Sequence, residues 1–297
     1  MPRKVFLLII MNIIALNFSG ATVSGMAFNE SNIVTDDAGD MVMKCLSGLY
    51  QYRNRIDSIE AETYMYGVTD IVKKNILISP LRRFIFVGNK PKDGFFETFG
   101  KIQYFFPGYY TFKPEAFNGN VNLYSTGVPK CVYNDLFSSD SSDGGHISPI
   151  SPRAEKYYTY ILEKHDDNGL VVISFKPKNS SSRLTWGSMI IDKKKNIVKK
   201  IIIYGTTSFA SFRIEQIYRE NRETNFLPTR IILDINHSLL GNNITQRIES
   251  YISYKKIIKR KVETVINKNH ITKYLTMTPD SIKVITDSAY WNLSLIH

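Results

Sequence analysis

The histidines are the first residues to test for chemistry, because imidazole binds metals and transfers protons near neutral pH. They are His146, His165, His237, His270 and His297. None has a partner at HExxH, HxH or a similar spacing, so the sequence gives no support for a zinc site. His146 and His165 each lie beside a turn, where histidines are usually solvated. We therefore expect neither a metal nor any other cofactor.

Motifs for nucleophilic or phosphate chemistry are also missing from the sequence. No GxSxG, GxxxxGK or GxGxxG occurs, and the segment Asp143 to His146 lacks the strand-to-helix context of a phosphate loop. Asp36-Asp37 and Asp166-Asp167 lie in turns, where aspartate is favoured for backbone reasons. The sequence predicts a protein that is not an enzyme. A secreted hydrolase with an unrecognised site remains the third alternative.

An aromatic-rich stretch from Phe95 to Phe112 allows two interpretations. Its rings either fill the core of a β-sheet or line an apolar cavity that accepts an acyl chain. General burial frequencies favour the core. Under the second interpretation, the candidate ligand-binding residues are Phe105, Tyr110, Trp186 and Met189, in a cavity between a helix and the concave face of the sheet.

The elements that must position these residues are mostly strands. Alternating or compact apolar runs separated by polar turns predict strands at 157–163, 170–176, 184–191, 197–204, 211–219, 229–235 and 245–254. Asn168-Gly169 is a strong turn signal between the first two. Strands are also expected at Ile59–Val68 and Phe84–Val87, and a loop at Leu136–Gly145. Consecutive strands with short turns indicate an antiparallel sheet that curls on itself.

Residues 41–56 have apolar positions at helical spacing, with Asp40 as a candidate N-cap. In the sheet, we expect Val172, Phe175, Trp186, Ile190 and Ile202 to be largely buried. Cys45 and Cys131 lack the CxxC spacing of redox and zinc sites, and we expect both to be free, small and buried.

The N-terminus is typical of an export signal. Arg3 and Lys4 precede an apolar core from Val5 to Leu16, and Ser19-Gly20-Ala21 offers small residues for cleavage after Ala21. The apolar core is shorter than the ~20 residues that span a bilayer. The expected organisation is a signal peptide at 1–21, a flexible leader at 22–40 and a single antiparallel β domain at 41–297, located in the periplasm.

The formal net charge of +11 raises the question of an anionic partner. The lysines are scattered along alternating strands, with clusters at 193–195, 199–200 and 255–261. We interpret them as solvated strand faces and edge protection, with contact to anionic lipid headgroups as the weaker alternative. Nucleic acid is a poor partner for an exported protein and is not expected.

Several of these segments resemble a known family. The resemblance is carried by Ile147-Ser148-Pro149-Ile150-Ser151, Ala154, Tyr157-Tyr158, Tyr160, Leu162, Gly169, the run Val172 to Lys178, Gly187 and Ile191-Asp192. These residues look like the soluble periplasmic region of uncharacterised outer-membrane proteins of Bacteroidetes-type bacteria. Through Leu227-Pro228 and Tyr290-Trp291 the resemblance extends over residues 41–297. Relatives carry a carboxypeptidase-regulatory-like module before this region and a β-barrel after it, and we expect neither here.

The resemblance implies the half-barrel fold of periplasmic lipoprotein carriers, with an N-terminal helix on the concave face of a strongly curved antiparallel sheet. It implies a non-enzymatic domain that binds a lipid or another apolar ligand and associates with the outer membrane. The second alternative is a structural or interaction module, a remnant of the periplasmic part of a larger outer-membrane protein, with an outer-membrane partner.

Overall fold

A computed structural model describes residues 35–73, 93–105, 109–121, 146–151, 153–165, 168–239, 241–260, 275–277 and 283–284. Helix α1 spans Thr35–Arg53. The strands are β1 Ile56–Lys73, β2 Asp93–Phe105, β3 Tyr109–Gly119, β4 Tyr158–His165, β5 Leu170–Pro177, β6 Trp186–Asp192, β7 Ile197–Thr206, β8 Ala210–Tyr218, β9 Pro228–Leu239, β10 Asn242–Lys259, β11 Leu275–Met277 and β12 Lys283–Val284.

All described strands belong to one sheet, in the order β11-β3-β2-β1-β10-β9-β8-β7-β6-β5-β4, with β12 also paired to β3. Neighbours from β3 to β4 along this order are antiparallel, whereas β11 and β12 run parallel to β3. Over the described strands the sheet does not close into a barrel. The predicted fold class, a mainly β half-barrel-type sheet with an N-terminal helix, is confirmed.

The strands predicted between residues 157 and 254 are confirmed as β4 to β10, with shifted ends. The turn at Asn168-Gly169 is also confirmed, and Gly169 has a φ of 89°, which glycine adopts without steric cost. The largest difference is β10, which continues to Lys259. Its register with β1 extends from Asn243 opposite Lys73 to Lys259 opposite Ile56, so pairing with a long partner extends the strand.

Helix α1 begins six residues before the predicted start at residue 41. Ala38 and Val42 are both fully buried, one helical turn apart, so the apolar stripe continues toward the N-terminus. Asp40 therefore lies inside the helix, where it is exposed, and the N-cap assignment is wrong. The flexible leader predicted for 22–40 is wrong for residues 35–40, which are helical.

The core lies on the sheet face that packs against α1, which we call the helix-side face. In β5 the core residues are Val171, Ile173 and Phe175. Phe175 is 2% exposed, which confirms its predicted burial. Val172, Trp186, Ile190 and Ile202 are covered less completely than predicted, because they are half-buried on the opposite, outer face. Strands β5 to β7 carry apolar residues on both faces, so alternation alone does not identify the covered one.

Several predictions lie outside the described residues: the export signal, the strand at Phe84–Val87, the loop at Leu136–Gly145, Cys131 and Trp291. Cys45 is a buried free thiol, and burial raises its pKa to about 12. It is therefore protonated and unreactive at neutral pH. No helix within the described ranges is long and apolar enough to span a bilayer.

Candidate functional site

Side chains fill the space between α1 and the helix-side face of the sheet. Val42 and Leu46 of the helix are 0% exposed, and Leu49 and Met189 are 1% exposed. All four belong to one apolar cluster that includes residues of β1 and β4 to β10. Fractions this small mean that protein atoms surround each side chain, as in a close-packed interior. At these positions the helix-side face is closed by side chains.

Part of the segment that carries the family resemblance forms a structural anchor on this side. Three tyrosine hydroxyls donate hydrogen bonds to carbonyls of the segment 147–150: Tyr158 to Ile147, Tyr160 to Pro149 at 2.6 Å, and Tyr50 of α1 to Ile150 at 2.9 Å. Burial raises the pKa of both strand phenols, so they stay protonated as donors. These bonds hold the segment between the helix and β4, and they make it a fold element.

The outer face carries a different arrangement, built from two rows of side chains that run across the strands. In the aromatic-charged row, each residue lies opposite the next in strand register. Its members are Trp186, Tyr204, Arg213, Asp234, Arg247 and Val68, one each from β6, β7, β8, β9, β10 and β1. Because register pairs lie about 5 Å apart, the row is continuous across six strands.

The second row, the polar row, lies two residues away from the first on each of five strands, β7, β8, β9, β10 and β1. Its members are Thr206, Ser211, Asn236, Thr245 and Asp70, again directly opposite one another. Ser211, Asn236 and Asp70 are exposed, and Thr206 and Thr245 are half-buried. The polar row therefore presents hydroxyl, amide and carboxylate groups to solvent.

A groove with a volume of about 350 Å³ lies between the two rows. Its floor is formed at the strand positions between them: Gly205, Phe212, Ile235 and Gln246. These residues are also register neighbours. Side chains at these positions point to the helix-side face, where a Cβ atom at Gly205 would lie 2.2 Å from the Phe212 ring, so main chain forms the floor of the groove. The groove therefore runs perpendicular to the strands.

Three of the four charged side chains that line the groove, Arg213, Asp234 and Arg247, are paired with one another. Asp234 accepts hydrogen bonds from Arg213 at 3.2 Å and from Arg247 at 2.8 Å. Arg213 also pairs with Glu215, to which Lys200 approaches within 2.6 Å. Desolvation raises the pKa of Glu215, but hydrogen bonds and charge from Lys200 and Arg213 outweigh it, and the net pKa is lowered. The network fixes the guanidinium groups in place.

The β6 end of the groove is aromatic. The rings of Trp186 and Tyr204 are nearly parallel, with an interplanar angle of 19° and a centroid separation of 6.4 Å. The Tyr204 hydroxyl is hydrogen-bonded to Arg213. Tyr204 is 38% exposed, so part of this aromatic surface faces solvent.

The four residues predicted to line one cavity are not brought together. Met189 is in the core and Trp186 lines the groove, because positions three apart in a strand point to opposite faces. Phe105 is 40% exposed at the end of β2, and Tyr110 lies in β3 opposite Tyr104. Met189 therefore lies in the core, 1% exposed, and its predicted contact with a ligand stays a prediction, as it does for Phe105 and Tyr110. Ligand binding by Trp186 stays a prediction.

Sequence reasoning missed the charged centre of the groove: Arg213, Asp234 and Arg247. Each lies within a predicted strand, and their opposite signs on successive strands are the signal that could have found them. Within the described ranges, no group of three or more His, Cys, Asp or Glu side chains is placed to hold a metal ion.

Residues 44–255 match the model of the family described as "Family of unknown function (DUF5686)". The match covers more than half of the chain, so the chain belongs to this family. It begins within α1 and ends within β10, and it includes both the tyrosine anchor and the groove.

Among solved structures, the chain is similar to a LolA superfamily protein from Nitrosomonas europaea, with 14% identity, a TM-score of 0.29, and coverage of 77% of this chain and 96% of that one. It is also similar to a DUF1329 family protein from Desulfovibrio piger, with 11% identity, a TM-score of 0.27, and coverage of 74% and 94%. A third similar structure is a putative outer membrane lipoprotein-sorting protein domain from Vibrio parahaemolyticus. It has 10% identity and a TM-score of 0.26, with coverage of 74% of this chain and 94% of that one. Similarity at these TM-scores does not assign a ligand or a partner to this chain. A comparison with curated protein sequences finds no match.

Proposed function

We propose that this chain is an exported, non-enzymatic interaction domain that binds its partner through the outer-face groove. One observation carries the proposal: the face under the helix is filled at Val42, Leu46 and Met189, whereas the opposite face is open and lined by aromatic, charged and polar groups. Of the two leading alternatives from the sequence, this geometry favours the interaction module over the carrier of an acyl chain.

The groove itself is a poor site for an acyl chain. Asp234 and its two arginine partners lie at its centre. Covering these charges with hydrocarbon removes their water without supplying new hydrogen bonds, which is costly even for paired ions. A partner with hydrogen-bonding groups avoids that cost. The arginine pairs also occupy the Asp234 carboxylate, which argues against its use as a catalytic base.

Export and a single domain over residues 41–297 are part of the proposal. Arg3, Lys4 and the apolar run Val5–Leu16 support secretion, and Ala21 supports cleavage. Mass spectrometry of the protein from a native-like host is expected to show Thr22 as the first residue. A soluble cytosolic chain that retains Met1 contradicts export.

The choice between carrier and interaction domain is tested on protein purified without detergent. Native mass spectrometry is expected to give the mass of the chain alone, and titration with cis-parinaric acid is expected to give no saturable fluorescence. A co-purified lipid, or saturable binding of the fluorescent acid, overturns the proposal.

Use of the groove is tested by photocrosslinking in the native-like host. A photoreactive phenylalanine derivative replaces Ser211 in the groove, and in the control it replaces Ser253, which is exposed on the outer face away from the groove. Adducts from position 211 that are absent from position 253 are expected. Adducts of equal yield at both positions, or none at position 211, contradict the proposal.

A further inference from the structure

We infer that the ligand of the outer-face groove is a neutral, linear oligosaccharide. The inference rests on the proposed function, because it names the chemistry of the partner that the groove binds. Three properties of the groove support it: the hydrogen-bonding character of its walls, its balance of charge, and its direction relative to the strands.

The walls supply both kinds of contact that a sugar ring needs. A pyranose has apolar C–H faces, which pack on aromatic rings, and a rim of hydroxyls that donate and accept hydrogen bonds. Trp186 and Tyr204 provide the aromatic surface at one end. The polar row provides hydroxyl and amide groups along one wall, and Arg213, Asp234 and Arg247 provide fixed donors and an acceptor along the other. Preorganised polar groups lose little entropy on binding.

The charge balance selects a neutral ligand. The groove is lined by two arginines, Arg213 and Arg247, and two aspartates, Asp70 and Asp234, so its formal charges cancel. An anionic ligand would meet both carboxylates, and a cationic ligand would meet both guanidinium groups. Misplaced like charges reject such ligands, although the chain as a whole carries a charge of +11.

The direction of the groove argues for a sugar rather than a peptide. Extended peptides commonly bind by adding a strand to a sheet edge, where main-chain groups are available. Here the floor positions Gly205, Phe212 and Ile235 belong to paired interior strands, so their main-chain groups are used in the ladder. The ligand must therefore be recognised by side chains, as sugars are.

The dimensions fit a chain rather than a compact molecule. From β7 to β1, where both rows are present, the groove crosses four interstrand spacings, a length of about 19 Å at 4.8 Å per spacing, and Trp186 of β6 extends one wall beyond it. A volume of about 350 Å³ spread over this length gives a shallow, narrow channel. A linear oligomer fills such a channel along its length.

The experiment uses the mature chain on an array of neutral gluco-, manno- and N-acetylglucosamine oligosaccharides, with titration calorimetry on the strongest ligand. Trp186→Ala is expected to weaken binding at least about tenfold, equivalent to about 1.4 kcal/mol. Asn236→Ala, an exposed polar-row change that spares the core, is expected to weaken it by a smaller factor. The matched control is Tyr251→Ala, an exposed outer-face aromatic away from the groove. Control affinity should equal wild type, and melting curves check that each variant is folded.

Other results contradict the inference alone or the proposed function as well. No binding to any neutral glycan, or binding that Trp186→Ala and Asn236→Ala leave unchanged, overturns the inference. If a peptide array instead gives ligands that depend on Trp186, the oligosaccharide is wrong but the interaction domain stands. If a lipid is bound under α1, both the inference and the proposed function fail.

Discussion

The helix-side face and the outer face are built from the same strands, yet they differ in almost every property. In β10, Ile248 is fully buried on the helix side, while its neighbour Glu249 points outward and pairs with Arg230. The helix-side face is apolar, filled and anchored by tyrosine hydroxyls. The outer face carries rows of paired charges and exposed hydroxyls. Period-two alternation thus places the apolar core and the polar groove on opposite faces of the same strands.

The sharpest test of this comparison is a pair of substitutions in β5. Phe175→Ala removes a buried ring and is expected to lower the free energy of unfolding by about 3–5 kcal/mol. Val172→Ala, on the outer face of the same strand, is expected to cost less than about 1.5 kcal/mol. Urea unfolding of both variants measures the difference, and equal losses would break the distinction between the faces.

The tyrosine anchor is expected to give the next largest effect. Tyr158→Phe removes the hydroxyl that donates to Ile147 and accepts from the Thr185 amide, leaving buried polar groups without a partner. The expected loss is about 1–3 kcal/mol. The control is Tyr157→Phe at the neighbouring half-buried position. If thermal unfolding of Tyr158→Phe matches wild type, the anchor contributes nothing to stability.

The outer charge network is expected to appear as a dependence of stability on pH. The folded pKa of Glu215 is lowered, so its contribution is present above its unfolded pKa of about 4.3 and is lost as pH falls through the folded value. Glu215→Gln is therefore expected to flatten the decline in unfolding free energy below about pH 4.3. Denaturation curves from pH 3 to 7 measure the slope.

Glu60→Gln, at an exposed carboxylate of β1, serves as the control for that titration. An unchanged slope in Glu215→Gln would show that its ion pairs with Lys200 and Arg213 do not stabilise the fold.

The smallest effect on stability is expected at the groove itself. Arg247 is half-exposed and pairs with Asp234 at 2.8 Å, and exposed ion pairs contribute only about 0–1 kcal/mol. Arg247→Ala should therefore unfold within about 1 kcal/mol of wild type in urea. A loss as large as that of Phe175→Ala would mean that the outer face carries part of the core.

The contrast between the faces also explains what the sequence could reveal. Strand positions from β4 to β10 were predictable because turn residues such as Asn168-Gly169 mark their ends. The covered face was not, because Ile190 and Ile191 are equally apolar and only the position of α1 decides which is buried. The groove could not be predicted from the sequence for a different reason. Its rows depend on the register between strands as distant in sequence as β1 and β10, and no local pattern encodes that register.

That pairing has a consequence for how the chain reaches its native state. Ile56 lies opposite Lys259, so one side of β1 stays without its partner until almost the whole described chain is available. Closing so long a loop costs conformational entropy before the strand contacts can offset it. Folds dominated by contacts between residues far apart in sequence therefore form slowly. During that interval the backbone of β1 offers an unpaired edge to other chains. Pairing of β10 with β1 therefore competes with association between chains. Dilution or a chaperone that holds the unfolded chain favours the intramolecular pairing.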